Sequence, residues 1–174
     1  MNNLIDILRT ETQSLKDKYF EMTETWAKNS YNSILRKSKW DNQTWCESFG
    51  LKPQLKNPGT NLEFYSFPDG FYRTANYRKY RREMEEIIKV IKMGKEKYLE
   101  KQLKKAELHY ESSLLKLAKR IELKKLNIEN LKVITGYVGV NINMTLTDGE
   151  KTVKAFTIIA EGLIQRPHYR YLVK

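Results

Sequence analysis

A chain of 174 residues that is 40% hydrophobic, with three Trp, eleven Tyr and six Phe, carries enough apolar material for a core and suits one domain, or one domain with a helical arm. Lys and Arg outnumber Asp and Glu by 32 to 21, a formal net charge of +11 that points to polyanionic partners. The single cysteine, Cys46, excludes an internal disulfide framework and a cysteine-based zinc cluster. No apolar run reaches the length of a membrane span, and the Met1-Asn2-Asn3 start lacks a basic signal-peptide segment, so a cytoplasmic protein without a membrane role is expected.

Leu4, Leu8, Leu15, Tyr19, Met22 and Trp26 recur at three- and four-residue spacings and draw one stripe along a helix that Asn2 or Asn3 can cap. The stripe continues less cleanly through Tyr31, Ile34 and Leu35. Thr10, Thr12, Ser14, Thr23 and Thr25 lower the intrinsic helix propensity, so this helix is expected to depend on packing against a partner. A break at Ser38–Trp40 precedes a short helix capped by Asp41, ended by Gly50 and anchored by Trp45 and Phe49. Lys52–Thr60, with two prolines and a glycine, reads as a loop. Leu62–Phe67 and Phe71–Arg73 flank the turn residues Pro68-Asp69-Gly70, which allows either a small hairpin or an irregular aromatic plug that fastens the next helix to the core.

The dominant stretch is Asn76–Leu126, without proline and with one glycine, Gly94. As one helix it would be about 75 Å long, so it must project as an arm or fold back as an antiparallel helix pair. Residues 73–126 carry 17 Lys and Arg against 8 Asp and Glu, whereas residues 1–72 carry nine of each. Most of the net charge therefore belongs to this region. Tyr77-Arg78-Lys79-Tyr80-Arg81-Arg82 sets four cations and two aromatics together with no acid, a pattern that suits phosphates and bases. Lys101, Lys104 and Lys105 extend the basic surface. Met84, Ile87, Ile88 and Ile91 read as one apolar face and Met93-Gly94 as a break. Leu99, Leu103, Ala106, Tyr110, Leu114, Leu117 and Ile121 then repeat at about 3.7 residues, which favours packing within the chain over a leucine zipper. His109 sits alone beside that stripe.

After Lys124–Asn127 the period changes to two. Val138, Val140, Ile142, Met144 and Leu146 alternate with polar residues, and Asp148-Gly149 separates them from Thr152–Ala160, a strong hairpin signal. The inner face is expected to gain Val153, Ala155, Thr157 and Ile159, leaving Asn141, Asn143, Thr145, Lys154 and Phe156 outside. Leu163–Lys174 can add a third, edge strand on which Arg166, His168 and Arg170 share a face and form, with Lys154, a second cationic site. The fold class is thus α+β: long N-terminal and central helices with a C-terminal antiparallel hairpin or three-stranded meander. It divides as residues 1–75, 76–130 and 131–174 within one composite domain.

No phosphate loop, metal-binding helix or nucleophile–base pair is present in the sequence, so no catalytic residue, metal or cofactor is expected. The segment Lys151–Lys174 resembles the ends of small basic accessory proteins of tailed phages and prophages of low-GC bacteria. That resemblance implies a factor acting on host nucleic-acid enzymes, such as an inhibitor of a CRISPR or restriction nuclease, and supplies no catalytic residues. The expected function is non-enzymatic binding of nucleic acid or a host nucleoprotein. The alternative is a helical scaffold or homo-oligomer that contacts only protein through Leu99–Ile121.

Overall fold

The structure is a computed structural model, and it describes residues 2–138, 141–159 and 168–170. The chain is α+β, with five α-helices and two antiparallel sheets among the described residues. It forms two compact units that cut across the order of the sequence. One unit joins residues 1–29 to 99–174, and the other is the continuous stretch Ser30–Tyr98. The segments 1–75, 76–130 and 131–174 do not map one-to-one onto these units, because the periodic signals report helices and strands and not which of them share a core.

The first unit is built on α1 (Asn2–Glu11), the first part of α2 (Gln13–Lys37), most of α5 (Lys95–Lys124) and the C-terminal sheet. Helices α1 and α2 nearly form one helix. At Thr12 the backbone N–H still reaches the Leu8 carbonyl at 2.9 Å, but the Thr12 hydroxyl donates to the same oxygen at 2.6 Å, a competing bond that disturbs the helical pattern there. Leu4, Leu8 and Leu15 meet Tyr110, Leu114, Leu117 and Ile121 of α5 and Met144, Leu146, Val153 and Ala155 of the sheet in one aliphatic core. Arg9 reaches Glu111 at 2.9 Å and Thr12 meets the Tyr110 hydroxyl at 2.6 Å, so polar contacts join the end of α1 to the middle of α5.

The sheet order is β3 (Lys132–Val138), β4 (Asn141–Thr147), β5 (Thr152–Ile159) and β6 (His168–Arg170), all neighbours antiparallel. Strand β3 is additional to the predicted meander: with Gly136 inside it and no clean alternation, Lys132–Val138 lacks the signal of its neighbours. The β4–β5 loop spans Asp148–Lys151, with Thr147 and Thr152 as the last pair. Leu146 opposes Val153 as expected, but a register shift between Met144 and Thr145 makes Met144 the partner of Phe156, so the odd–even pairing holds for only half the hairpin. The side chains of Thr157 and Ile159 lie outside the described residues, as do Val140 and most of the predicted third strand.

In the second unit Asp41 caps α3 (Asn42–Ser48), accepting from the Thr44 N–H at 2.8 Å. Of the two alternatives for Leu62–Arg73, the hairpin does not form. Strand β2 (Phe64–Ser66) pairs instead with β1 (Gln54–Lys56), inside the stretch read as a loop, while Phe71–Arg73 makes a single 3-10 turn. Pro53 stands just before the paired residues and Pro58 just after them, so neither proline blocks the ladder. The aromatic plug is what the structure contains. Phe67 and Phe71 stack at 4.2 Å, and Trp45, Phe49 and Tyr80 close around them.

Helix α4 (Ala75–Met93) is capped by Thr74. It buries Ile87 and Val90, whereas Ile88 and Ile91 remain 48% and 41% exposed, so the predicted apolar face is rotated by part of a turn. The long helical stretch does break at Gly94, whose φ of 81° and ψ of 162° belong to a region that essentially only glycine occupies.

Candidate nucleic-acid interface

The basic run occupies the first turns of α4 and is held in place from its N-terminal side. The Thr74 hydroxyl accepts from the Tyr77 N–H at 3.2 Å and donates to the Phe71 carbonyl at 2.6 Å, so one side chain fastens the 3-10 turn to the helix. No acid stands in the first turn to complement the helix dipole, and four cations follow before Glu83. That order works against helix stability, which argues that the charge is placed for something else.

Helical geometry sorts the run into three groups. Tyr77 and Tyr80 turn inward. Tyr80 lies 5.1 Å from both Trp45 and Phe67, and burial, then the neighbouring Tyr72 and Tyr77, pushes its phenol pKa up. Tyr77 sits 5.8 Å from Phe71. Their predicted role as stacking surfaces for bases is therefore corrected, since these rings already have partners inside the aromatic cluster. Arg81 and Lys79 are partly engaged: Arg81 donates to Glu85 at 3.0 Å, and the Lys79 ammonium stands 5.7 Å from the centre of the Phe49 ring. Both pairs are weak at an exposed surface.

Arg78 and Arg82 form the third group. Both are exposed, and neither has an ion-pair or hydrogen-bond partner among the described residues. At 100° per residue they lie within about 30° of the direction opposite Tyr80 and Ile87, one turn apart, with Lys89 two turns further on. Glu85 shares this face and is drawn toward Arg81.

A residue just before the helix, not among the predicted site residues, is exposed in the same unit. Tyr72 is 70% exposed, and its ring meets that of Tyr77 edge-on at 5.0 Å. Arg73, also exposed and without a partner among the described residues, follows it. The only sequence signal was a tyrosine–arginine pair just before the cap, which resembles any other aromatic in that segment.

The remaining predicted cations lie in the other unit. Lys101, Lys104 and Lys105 are exposed together on one face of α5, and Lys154 is a half-buried β5 residue opposite Thr145. Arg166 lies outside the described residues. His168 and Arg170 are placed by their backbones in β6, and their side chains lie outside the described residues, so the shared face predicted for these three has no described counterpart. The apolar residues Tyr110, Leu114, Leu117 and Ile121, named for a scaffold interface, are the core of their own unit.

No group of three or more His, Cys, Asp or Glu side chains arranged to hold a metal ion occurs among the described residues, nor is any described helix long and apolar enough to cross a membrane. No protein-family model, curated protein or solved structure matches this chain.

Proposed function

We propose that this protein is a non-enzymatic binder of nucleic acid, either free or held in a host nucleoprotein such as a nuclease complex, and that it presents the outward face of α4. The observation that carries this reading is the exposed Arg78–Arg82 pair, free of acidic partners among the described residues. Guanidinium groups in that state retain their capacity for bidentate phosphate contacts, and a helical turn sets the two Cα atoms about 6 Å apart along the axis. The unit that holds them carries 14 Lys and Arg against 8 Asp and Glu, so its field also favours encounter with a polyanion. The phage-protein resemblance of Lys151–Lys174 supports an inhibitor of a host nucleic-acid enzyme as the biological setting.

The test is a titration of labelled oligonucleotides at several salt concentrations. Charge reversal at Arg78→Glu and Arg82→Glu together should weaken binding at least about tenfold and lower the salt slope by roughly 1.4 to 1.8, the value for two lost phosphate contacts. Unchanged affinity and slope in the double variant would remove this face from the function. Recovery of a defined nucleoprotein from a bacterial lysate after nuclease treatment would select the held form over the free one.

A further inference from the structure

We infer that the nucleic acid this face takes is single-stranded, with one base laid on the ring of Tyr72; this rests on the nucleic-acid reading above and names its substrate. Other rings of the cluster are committed to the interior: Phe71 is 1% exposed and Trp45 3%. Tyr72 keeps most of its surface in water, at 70% exposure. It is nonetheless held in position. Edge-on contacts to Tyr77 at 5.0 Å and Phe71 at 6.1 Å fix the ring from two directions, and the Thr74 hydroxyl ties its turn to the helix that carries Arg78.

An exposed aromatic fixed beside cations is the arrangement that single strands require. Their bases are free to turn outward and stack while the cations follow the phosphates, and little entropy is lost when the ring is already ordered. A duplex keeps its base faces inside the stack and offers a ring of this kind only its backbone and groove edges. Arg73 adjoins Tyr72 in the chain, and Arg78 adjoins Tyr77, the residue on which the Tyr72 ring rests. Phosphates on either side of a base stacked on Tyr72 thus have guanidinium partners in the same unit.

The experiment uses the full chain with a twelve-nucleotide oligothymidylate, a duplex of equal length and inorganic polyphosphate as probes. Tyr72→Ala should weaken oligothymidylate binding by about 5- to 100-fold, the range for loss of one stacked base, with the salt slope unchanged. Tyr72→Trp should restore or tighten it, while duplex and polyphosphate binding should be the same in all three proteins. Equal loss for single strand, duplex and polyphosphate in Tyr72→Ala, or no loss for any, would overturn the stacking role while leaving the Arg78–Arg82 interface standing. Failure of the unaltered protein to bind any of the three probes would overturn that interface reading and this inference together.

Discussion

The two units are stabilised by different chemistry. The one that joins the chain ends has an aliphatic core, in which Leu8, Leu114, Leu117 and Leu146 are fully buried across two helices and a sheet. The continuous unit Ser30–Tyr98 is fastened by rings, with Trp40, Trp45, Phe49, Phe67, Phe71 and Tyr80 at centroid separations of 4.2 to 6.3 Å. Large flat side chains let short elements such as α3, β1, β2 and the Phe71–Arg73 turn bury enough surface to hold together. Aliphatic side chains need the longer periodic elements of the other unit to do so. The proposed binding face belongs to the aromatic unit, where Tyr72 is a member of the cluster that has turned outward.

Truncations in the two cores should have the largest effects. Phe71→Ala should cost about 3–5 kcal/mol and Leu117→Ala about 2–5 kcal/mol, read from denaturant unfolding. Cys46 separates the two. It is fully buried in the aromatic unit, and burial pushes its thiol pKa up, so it should resist thiol reagents until that unit opens. Phe71→Ala should accelerate Cys46 labelling by about two to four orders of magnitude, the equivalent of its stability loss, with Leu117→Ala having a much smaller effect under native conditions. Equal acceleration by both would mean that the units open as one.

A smaller pair of changes sharpens the account of the aliphatic unit. Thr12 and Thr23 are both buried, but the Thr12 hydroxyl bonds the Leu8 carbonyl and the Tyr110 hydroxyl, whereas the Thr23 hydroxyl has no hydrogen-bond partner among the described residues. Thr12→Val should destabilise by about 1–2 kcal/mol. Thr23→Val, which replaces a buried unbonded hydroxyl with a methyl of similar size, should stabilise by about 1 kcal/mol, so the two melting shifts should be opposite in sign.

The smallest effect concerns Asp148 in the β4–β5 loop. Backbone N–H donors from Lys151, Asn127 and Glu150, in that order of effect, hold its carboxyl well below the usual 3.8, at about 2. Because the folded-state value is depressed, the carboxylate stabilises the fold fully above about pH 4 and loses that contribution as the pH falls toward 2. Asp148→Asn should flatten the pH dependence of thermal stability in that window and lower the stability near neutrality, where the carboxylate contributes in full.

Legibility followed periodicity. The α5 stripe from Ala106 to Ile121, the α3 cap at Asp41 and the alternation from Met144 to Leu146 were readable because each is a local pattern with one physical meaning. The pairing of β1 with β2 was not, since three-residue strands carry no period and prolines on either side suggested a loop. The candidate interface was half legible: charge located the run, but a row of letters does not distinguish Tyr80, turned into the cluster, from Tyr72, turned out of it.

Local pattern alone carried the α+β class, the amphipathic helices and the concentration of charge near α4, because each depends on neighbours within a few residues; Gly94 marked a place where the long helix could break, and the structure breaks it there. Only the tertiary structure decided that residues 1–29 and 99–174 share one core, that Phe71 and Trp45 meet, and that Arg78 and Arg82 have no acidic partner among the described residues. These depend on contacts between residues far apart in the chain, where many combinations of the same apolar faces compete and the complementarity of packed side chains selects one.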